Sequence, residues 1–376
     1  MKPIFFRSEC EEERPENGSS SDRDKDTLKR GGDTVIRAIR YLKLGLLAAA
    51  ALQVSAQATA AEPFRLIVTD LTTPLVPNSV MDLAVELGYF EREGVDVELV
   101  RVQQTPSAIA ALQAGEGEMA NISVDSALQL AARDQLDLKA VLSPNKALPF
   151  LIAAKSEIET PQQLAGRSFA IGRLGSLDHT LSTKVLQAAG VDTDSLSFVG
   201  IGQPNVRAQA LAAGQVDATT ISIGVWLSLP DKEGLHILIN QDDYYNAAPV
   251  VQKVNVVTDE VLQERRDEVV AVTRALIAAA RDFAADPAKW IEAMAKARDD
   301  VSREDLEALA EAFADSWSIN GGLNRQELEY TVEWAYDSPD FEGVQKINLE
   351  DWVDFSVIDE ALEKLGTAEG ADQYIR

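Results

Sequence analysis

Cysteine and histidine are almost absent from this chain of 376 residues, which contains one cysteine and two histidines. Because the cysteine is Cys10, the sequence after it excludes disulfides, thiolate metal sites and a cysteine nucleophile. The histidines, His179 and His236, lie far apart without the HExxH spacing of zinc enzymes, and no G-x-S-x-G motif occurs. We therefore expect no metal, no cofactor and no enzymatic activity.

Basic residues are also scarce, since 35 Lys and Arg stand against 61 Asp and Glu, a formal net charge of −26. Nucleic acids and anionic lipids attract basic protein faces, so neither is expected as a partner. The hydrophobic content of 46% is ample for one large core or two modest ones.

The N-terminal part has the pattern of an export signal. Basic residues precede an apolar segment at 44–54, which is too short for a comfortable membrane span, and an A-T-A motif ends at Ala60. We predict that 35–61 is a signal peptide cleaved near Ala60 or Ala61 and that the mature protein is periplasmic. No cysteine follows the apolar segment, so a lipid anchor is not expected.

Residues 1–34 are polar and highly charged, a composition typical of disorder. Such a segment is unusual ahead of a signal peptide. We interpret it as a disordered or misassigned extension, with translation starting at Val35.

One phrase occurs twice in the chain, at 111–123 and at 210–222, and six of the thirteen aligned residues are identical. Each copy has the pattern of an Ala-rich helix, a glycine that ends it, a short strand, and a serine where the strand stops. Gln104 and Gln203 also align before the two helices. Two copies predict two α/β lobes, each presenting a hydroxyl to a shared cleft.

Strands and helices alternate from residue 64 onward, beginning with a strand expected at 64–69, which predicts βαβ units and largely parallel sheets. From residue 259 the pattern is nearly all helical, with helices predicted at 259–285, 288–298, 302–315, 325–336 and 351–365. We assign 62–149 and 250–376 to lobe 1, with a helical tail from 259, and 150–249 to lobe 2. The two crossovers between the lobes would form a hinge that closes around a ligand.

Four segments of the chain resemble the solute-binding subunits of ABC importers in the nitrate/sulfonate/taurine group, the NMT1/THI5-like family. They are 84–99, with its G-Y-F-E-R-E-G-V-D-V-E run, 111–126, 164–172 and 210–222. The resemblance departs from the family at Glu118, where an aspartate is usual.

The resemblance implies a two-lobed periplasmic-binding-protein-like fold of type II and a small organic solute. Its implied protein partners are an ABC permease and ATPase, and we expect a monomer. A sulfonate or taurine-like anion is the first expectation for the solute, and an aromatic acid or a pyrimidine is the next. One alternative is a ligand-sensing partner of a membrane receptor. The other is a pyrimidine-synthase-like enzyme, but the cysteine-rich segment of those enzymes is absent from this sequence after Cys10.

Binding sites in this family use strand-end loops and helix N-termini, where free backbone N–H groups favour anions. Four places in the sequence fit this description. The candidate ligand-binding residues are Leu71, Thr72, Thr73, Ser123, Asp125, Ser126, Arg173, Gly175, Ser176, Leu177, Asp178, His179, Thr220, Ser222 and Trp226.

Charged candidates suggest what the solute carries. Arg173 and Arg207 are the basic residues best placed for an anionic group, although each is also compatible with an ordinary solvated arginine. Asp178 would suit an amine or a ring N–H. Trp226 would either wall the pocket or pack in the core, and the serines and threonines have the alternative role of simple turns or helix caps.

Overall fold

The computed structural model describes residues 62–144 and 150–369. The expected extension and signal peptide lie outside these residues. No helix within the described ranges combines the length and the apolar character needed to cross a membrane.

Ten strands form the framework of the described ranges, 62–144 and 150–369. They are β1 (Phe64–Val68), β2 (Val97–Arg101), β3 (Met119–Ser123), β4 (Leu138–Leu142), β5 (Phe150–Lys155), β6 (Ser168–Ile171), β7 (Ser197–Gly200), β8 (Ala218–Ser222), β9 (Leu235–Ile239) and β10 (Lys253–Thr258).

Helices surround the strands and make up most of the chain after β10. They are α1 (Ser79–Glu86), α2 (Tyr89–Arg92), α3 (Thr105–Gln113), α4 (Val124–Ala132), α5 (Leu177–Ala188), α6 (Pro204–Ala212), α7 (Ile223–Leu227), α8 (Gln241–Ala247), α9 (Asp259–Glu264), α10 (Arg266–Ala285), α11 (Pro287–Ala297), α12 (Arg303–Ala312), α13 (Arg325–Tyr336), α14 (Leu349–Trp352) and α15 (Ser356–Leu365). Short 3₁₀ turns occur at Pro161–Leu164, Thr193–Ser195 and Pro339–Phe341.

The strands pair into two five-stranded sheets, which gives the chain two α/β lobes. The strand order is β2-β1-β3-β10-β4 in lobe 1 and β7-β6-β8-β5-β9 in lobe 2. One strand in each sheet departs from the parallel arrangement that the sequence predicts. β10 is antiparallel to β3 and β4, and β5 is antiparallel to β8 and β9. Both are the first strands after the chain crosses between lobes, so each enters its new sheet from the opposite direction.

The two copies of the repeated phrase occupy equivalent places in the two sheets. Gln104 and Gln203 are the N-cap residues of α3 and α6. Gly115 and Gly214 follow these helices with φ values of 71° and 70°, a left-handed turn that favours glycine. The chain then enters β3 and β8, which lie at the same position in their sheets. The internal repeat of the sequence is therefore a repeat of structure.

A carboxylate in each copy ties the repeat strand to its parallel neighbour, which is β1 in lobe 1 and β6 in lobe 2. A Glu118 carboxylate oxygen accepts the backbone N–H of Arg65 at 2.6 Å, and an Asp217 oxygen accepts that of Ser168 at 2.9 Å. Burial raises the pKa of both carboxyl groups, but their hydrogen bonds, which for Asp217 include one from Lys155, outweigh burial. The pKa of Glu118 is lowered and that of Asp217 is held at about 2. Glu118 thus fills the structural role of an aspartate.

The C-terminal helices complete the core that underlies lobe 1. α10 packs against α1, α2 and α15, and its buried side chains recur at Val269, Val272, Leu276 and Phe283, the spacing of one helical face. In α11, the fully buried Trp290 donates from its indole N–H to Ser79 Oγ at 2.9 Å. The tail is therefore an integral layer of lobe 1.

Two helices predicted as continuous are broken in the structure. The segment 259–285 forms α9 and α10, which meet at Arg265, where φ is −129°. The segment 351–365 is divided by Val353, whose extended backbone forms an isolated β-bridge with Ala140 of β4. In the second case pairing with the sheet edge overrides helix propensity.

The lobes meet at the start of α7. A Cβ built on Gly224 would lie 2.6 Å from the carbonyl oxygen of Leu75, so the two backbones approach closely. The tail also reaches lobe 2, because α12 packs on α7 and Tyr245 donates to Glu327 Oε1 at 2.9 Å.

Candidate functional site

A cleft of about 710 Å³ lies between the two lobes and is lined by residues of both. Its lining combines apolar side chains, such as Leu75, Phe150 and Leu229, with many polar groups. Amide side chains form the largest polar class. The polar lining consists of Thr69, Asp70, Thr72, Asn78, Gln103, Gln104, Thr105, Gln203, Asn205, Gln209, Ser222, Ser228, Gln252, Lys253 and Arg298.

Lys253 is a cation held at the lobe 1 wall of the cleft, at the first position of β10. Its Nζ donates to Thr69 Oγ1 at 2.7 Å and lies 3.9 Å from a carboxylate oxygen of Asp70. The side chain is 20% exposed. Burial lowers the pKa of Lys253, and the charge of Asp70 opposes that effect. An ammonium group can donate three hydrogen bonds, so donor capacity remains for a ligand.

The other cation of the lining is already paired. Arg298 makes two contacts of 2.7 Å with the carboxylate of Asp300 and donates to the carbonyl of Thr73 at 3.0 Å. A guanidinium held in this way is neutralised by its partner. Lys253 is therefore the lining cation better placed to hold an anion.

The two serines of the repeated phrase lie at equivalent register positions. Ser123 in β3 is opposite Lys253, and Ser222 in β8 is opposite Phe150. One half of the internal symmetry therefore places a cation in the cleft, where the other half places an aromatic ring.

Three of the sequence-predicted residues, Leu71, Thr72 and Ser222, line the cleft. Ser222 Oγ also caps α7 by accepting the N–H of Val225 at 3.3 Å. Thr73 is buried and donates to an Asp82 carboxylate oxygen at 3.2 Å.

The predicted residues at the start of α4 lie beside the cleft lining. Ser123 donates to Ser126 Oγ at 2.9 Å, and its backbone N–H reaches Thr105. Asp125 borders a second, smaller cavity of about 30 Å³ together with Gly175. Burial raises the pKa of Asp125.

The predicted loop of lobe 2 is occupied by its own contacts. Asp178 accepts the backbone N–H of Gly172 at 2.7 Å and the hydroxyl of Ser176, and lies 3.5 Å from a guanidinium nitrogen of the buried Arg207. Its carboxylate serves the loop and Arg207, whereas the sequence suggests a partner for a ligand amine. Leu177 is the first residue of α5, and Arg173 is exposed outside the cleft lining.

Side chains around this loop are packed within lobe 2. His179 accepts from the N–H of Gly175 at 3.1 Å and stacks edge-on against Phe198, with centroids 4.5 Å apart. Burial lowers the pKa of His179. Thr220 is buried with its hydroxyl 2.8 Å from that of Ser182. Trp226, 9% exposed, belongs to the core.

Arg207 is a buried residue of α6, next to the cleft-lining residue Ala208. Its guanidinium donates to Thr219 Oγ1 at 3.3 Å and to the carbonyls of Thr220, at 3.0 Å, and Gly202. Burial lowers the pKa of Arg207, opposed by the nearby Asp178. Neither sequence alternative, a ligand cation or a solvated arginine, matches this position.

Most polar residues of the cleft lining were not identified from the sequence, and Asn78, Gln252 and Lys253 are among them. The segment V-V-Q-K-V-N-V-V, residues 250–257, indicates Gln252 and Lys253 as candidates, because polar residues interrupt an apolar strand there. From the sequence, ligand groups are expected at the carboxyl ends of parallel strands. Lys253 lies at the amino end of β10, and because β10 is antiparallel, that end is at the same edge of the sheet.

Asn78 begins a row of three buried asparagines. Its Nδ2 donates to Asn121 Oδ1 at 3.2 Å, and Asn121 donates in turn to Asn255 Oδ1 at 2.8 Å. Asn255 Nδ2 ends the row against the sulfur atoms of Met119, at 3.3 Å, and Met81, at 3.8 Å. We call these residues the asparagine row. It runs from the cleft into the core of lobe 1.

No group of three or more His, Cys, Asp or Glu side chains suited to a metal occurs in the described ranges. The charged chemistry that the cleft lining offers is that of Lys253, Asp70 and Arg298, surrounded by amide and hydroxyl groups. Such a lining suits recognition through hydrogen bonds and charge.

Comparisons with solved structures identify the fold. A sulfonate-binding protein from Methylobacillus flagellatus KT has a TM-score of 0.64 at 16% identity, covering 82% of this chain and 97% of that one. A zinc-bound ligand-binding component of an ABC-type import system from Staphylococcus aureus has a TM-score of 0.63 at 15% identity, with coverages of 79% and 98%. A periplasmic nitrate-binding protein from Synechocystis PCC 6803 has a TM-score of 0.60 at 12% identity, with coverages of 83% and 90%.

A comparison with curated protein sequences finds no match. The structural likeness establishes the two-lobed, type II periplasmic-binding-protein fold. A family model adds a sequence relationship, since that of the NMT1/THI5-like family matches residues 80–290, more than half of the chain. The chain belongs to the NMT1/THI5-like family.

Proposed function

We propose that this protein is the solute-binding component of an ABC importer and captures a small organic anion in the cleft between its lobes. Membership of the NMT1/THI5-like family and the fold shared with periplasmic import components support the class. The protein acts in the periplasm, where it delivers its solute to a permease and its ATPase. Binding, rather than catalysis, is its role.

The observation that carries the anion is Lys253 in the cleft wall. Among the described residues its ammonium has one short partner, Thr69, and a distant contact with Asp70, so a carboxylate or sulfonate can complete its hydrogen bonds. Ser123 lies opposite Lys253 in the sheet and supplies a hydroxyl to the same region. Phe150, at the corresponding place in lobe 2, gives the organic part of the solute an apolar surface.

Cleft size supports an organic solute over an inorganic ion. The volume of about 710 Å³ falls within the range of about 300–1,000 Å³ that is usual for organic ligands. A nitrate-sized ion would leave most of it to water. We therefore place sulfonates and taurine-like anions first, followed by aromatic acids and pyrimidines.

Solute capture involves movement of the lobes about the two crossovers. Residues of both lobes line the cleft, so a bound solute favours the arrangement in which both contact it. The closed arrangement then presents paired lobe surfaces to the permease.

A thermal-shift screen of the purified full chain tests the proposal. The panel contains sulfonates, taurine, aromatic acids, pyrimidines and amino acids. A solute at a hundredfold excess over its Kd stabilises the native state by about 2.7 kcal/mol, which raises the Tm by roughly 2 °C or more. A panel without any shift would count against solute capture.

Calorimetry then tests the assigned cation. We expect Lys253→Gln to weaken binding of the solute by about 1.5–3 kcal/mol, the worth of a hydrogen bond to a charged group. Lys296→Gln, on the exposed face of α11, is the matched control and should bind as the unaltered chain does. Equal affinities of all three proteins would show that Lys253 does not hold the anion.

An uptake assay separates import from a sensory role. Cells that lack the protein should fail to take up the solute, and returning the protein to them should restore uptake.

A further inference from the structure

The cleft contains hydrogen-bond acceptors that no donor in the described ranges satisfies. Asn78 Oδ1 and Gln252 Oε1 are both buried without a partner within residues 62–144 and 150–369, and both side chains line the cleft. Asn78 is 1% exposed. A buried acceptor left without a donor is costly, typically by about 1–3 kcal/mol. Such groups in a binding cleft point to a complementary group on the ligand.

The asparagine row determines which atom of Asn78 faces the cleft. If every amide in the row were reversed, Asn255 would direct its carbonyl oxygen at the sulfur atoms of Met81 and Met119, which offer no hydrogen to it. In the observed direction Asn255 directs its N–H group at those sulfur atoms, which are weak acceptors. The direction set at Asn255 passes through Asn121 to Asn78. Because Asn78 spends its Nδ2 on the row, its oxygen remains for the cleft.

Charge in the same region agrees with a donor on the solute. Asp70 lines the cleft, and its carboxylate makes only a long contact, of 3.9 Å, with the Lys253 ammonium. The wall that holds the cation therefore also presents a carboxylate and two unpartnered amide oxygens. A solute that carried acceptors alone would satisfy Lys253 and leave these oxygens without donors.

We propose that Asn78, assisted by Gln252, is a specificity-determining residue that selects organic anions bearing an N–H donor, such as an amino or ring N–H group. The inference rests on the proposed function, since it concerns the solute of the same cleft. The sequence points to an amine through Asp178. In the structure Asp178 is engaged by Arg207 and Ser176, and the acceptors of the cleft are amides instead.

The test uses pairs of anions that differ only in an amino group: taurine and ethanesulfonate, β-alanine and propionate, 4-aminobenzoate and benzoate. Calorimetry on the full chain should show a preference for the amino compound in the pair whose carbon skeleton fits the cleft. The amino compound of that pair should bind about tenfold more tightly or more. Asn78→Leu should reduce this preference to about twofold or less while the amine-free anion still binds. Gln113→Leu, an amide-to-leucine change at an exposed position of α3 outside the cleft lining, should keep the preference.

A second variant guards against loss of folding, because Asn78→Leu also removes a donor from the asparagine row. Gln252→Leu lies outside the row and should reduce the preference in the same direction. Equal binding of both members of every pair by the unaltered chain would overturn the inference and leave the proposed function standing. An unchanged preference in both the Asn78 and Gln252 variants would overturn it as well. Failure of the whole anion panel to bind would overturn the proposed function together with it.

Discussion

Substitution of Gly224 by alanine should push the two lobes apart. Gly224 lies in the first turn of α7 in lobe 2, and an added Cβ would come within 2.6 Å of the Leu75 carbonyl oxygen and 2.8 Å of the Leu75 Cβ in lobe 1. Ordinary contact begins at 3.4 Å, so the backbones must separate by about 0.8 Å. The obstructing oxygen belongs to the backbone, which cannot rotate away as a flexible side chain can.

The cost of this substitution follows from overpacking, which is typically about 1–3 kcal/mol. Each lobe has its own sheet, so we expect the strain to be relieved by opening the cleft. Solute affinity should then fall by roughly five- to 150-fold, the equivalent of that cost. Calorimetry with a solute from the thermal-shift screen measures the change, and small-angle scattering measures the separation of the lobes.

Gly200→Ala is the matched control for Gly224→Ala. It adds the same methyl group in lobe 2, where the nearest atom would be the Arg173 Cα at 3.7 Å, an ordinary contact. Its affinity should equal that of the unaltered chain. If Gly224→Ala also binds with unchanged affinity and unchanged scattering, contact between the lobes at Leu75 plays no part in solute capture.

Three further results are expected. Arg207→Met should lower the free energy of unfolding by about 2–4 kcal/mol in urea, because buried polar groups lose their partner, whereas the exposed Arg173→Ala should change it by less than about 0.5 kcal/mol; equal effects would contradict the core role of Arg207. Burial raises the pKa of Asp217, but its hydrogen bonds outweigh burial and hold that pKa at about 2, against an ordinary value of 3.8. The Asp217 carboxylate therefore stabilises the folded state by roughly 1–2 kcal/mol above pH 3.8, and this contribution is lost as the pH falls towards 2. Urea unfolding should therefore show Asp217→Asn less stable at pH 6 and the difference vanishing near pH 2. Burial lowers the pKa of Lys253 below 10.5, so anion affinity should weaken as the pH rises towards that value, and a constant affinity up to pH 10.5 would argue against an ammonium contact.

Much of the fold was predictable because it depends on local periodicity and on the internal repeat. The strand expected at 64–69 is Phe64–Val68, and the two copies of the phrase lie at equivalent positions of two sheets. The antiparallel insertion of β5 and β10 was not predictable from alternation alone, because it depends on the route of the chain between lobes. The break at Val353 likewise depends on a distant sheet edge.

The candidate site was only partly predictable. Ser222 and Leu71 were identified because the ends of parallel strands are a general place for ligand groups. Lys253 was missed because its position depends on pairing between β3 and β10, which are 130 or more residues apart in sequence. Asn78 was missed because its place beside β3 depends on a hydrogen bond to Asn121, 43 residues away. Asp178 follows the carboxyl end of β6, where a ligand group was expected, but its carboxylate lies 3.5 Å from a guanidinium nitrogen of the buried Arg207. Long-range pairing of charges cannot be read from spacing in one sequence.

The insertion of β10 between β3 and β4 has a consequence for the order of folding. All five strands of lobe 2 come from the continuous segment 150–239, so its sheet can close as soon as that segment is available. Among the strands of the described residues, β4 in lobe 1 pairs within the sheet with β10 alone. Its backbone groups must wait until residue 253 has emerged, and the core must wait for the helices beyond. The lobe whose sequence begins first is therefore the second to complete its sheet, and the exposed edges of β3 and β4 remain open to other chains until then.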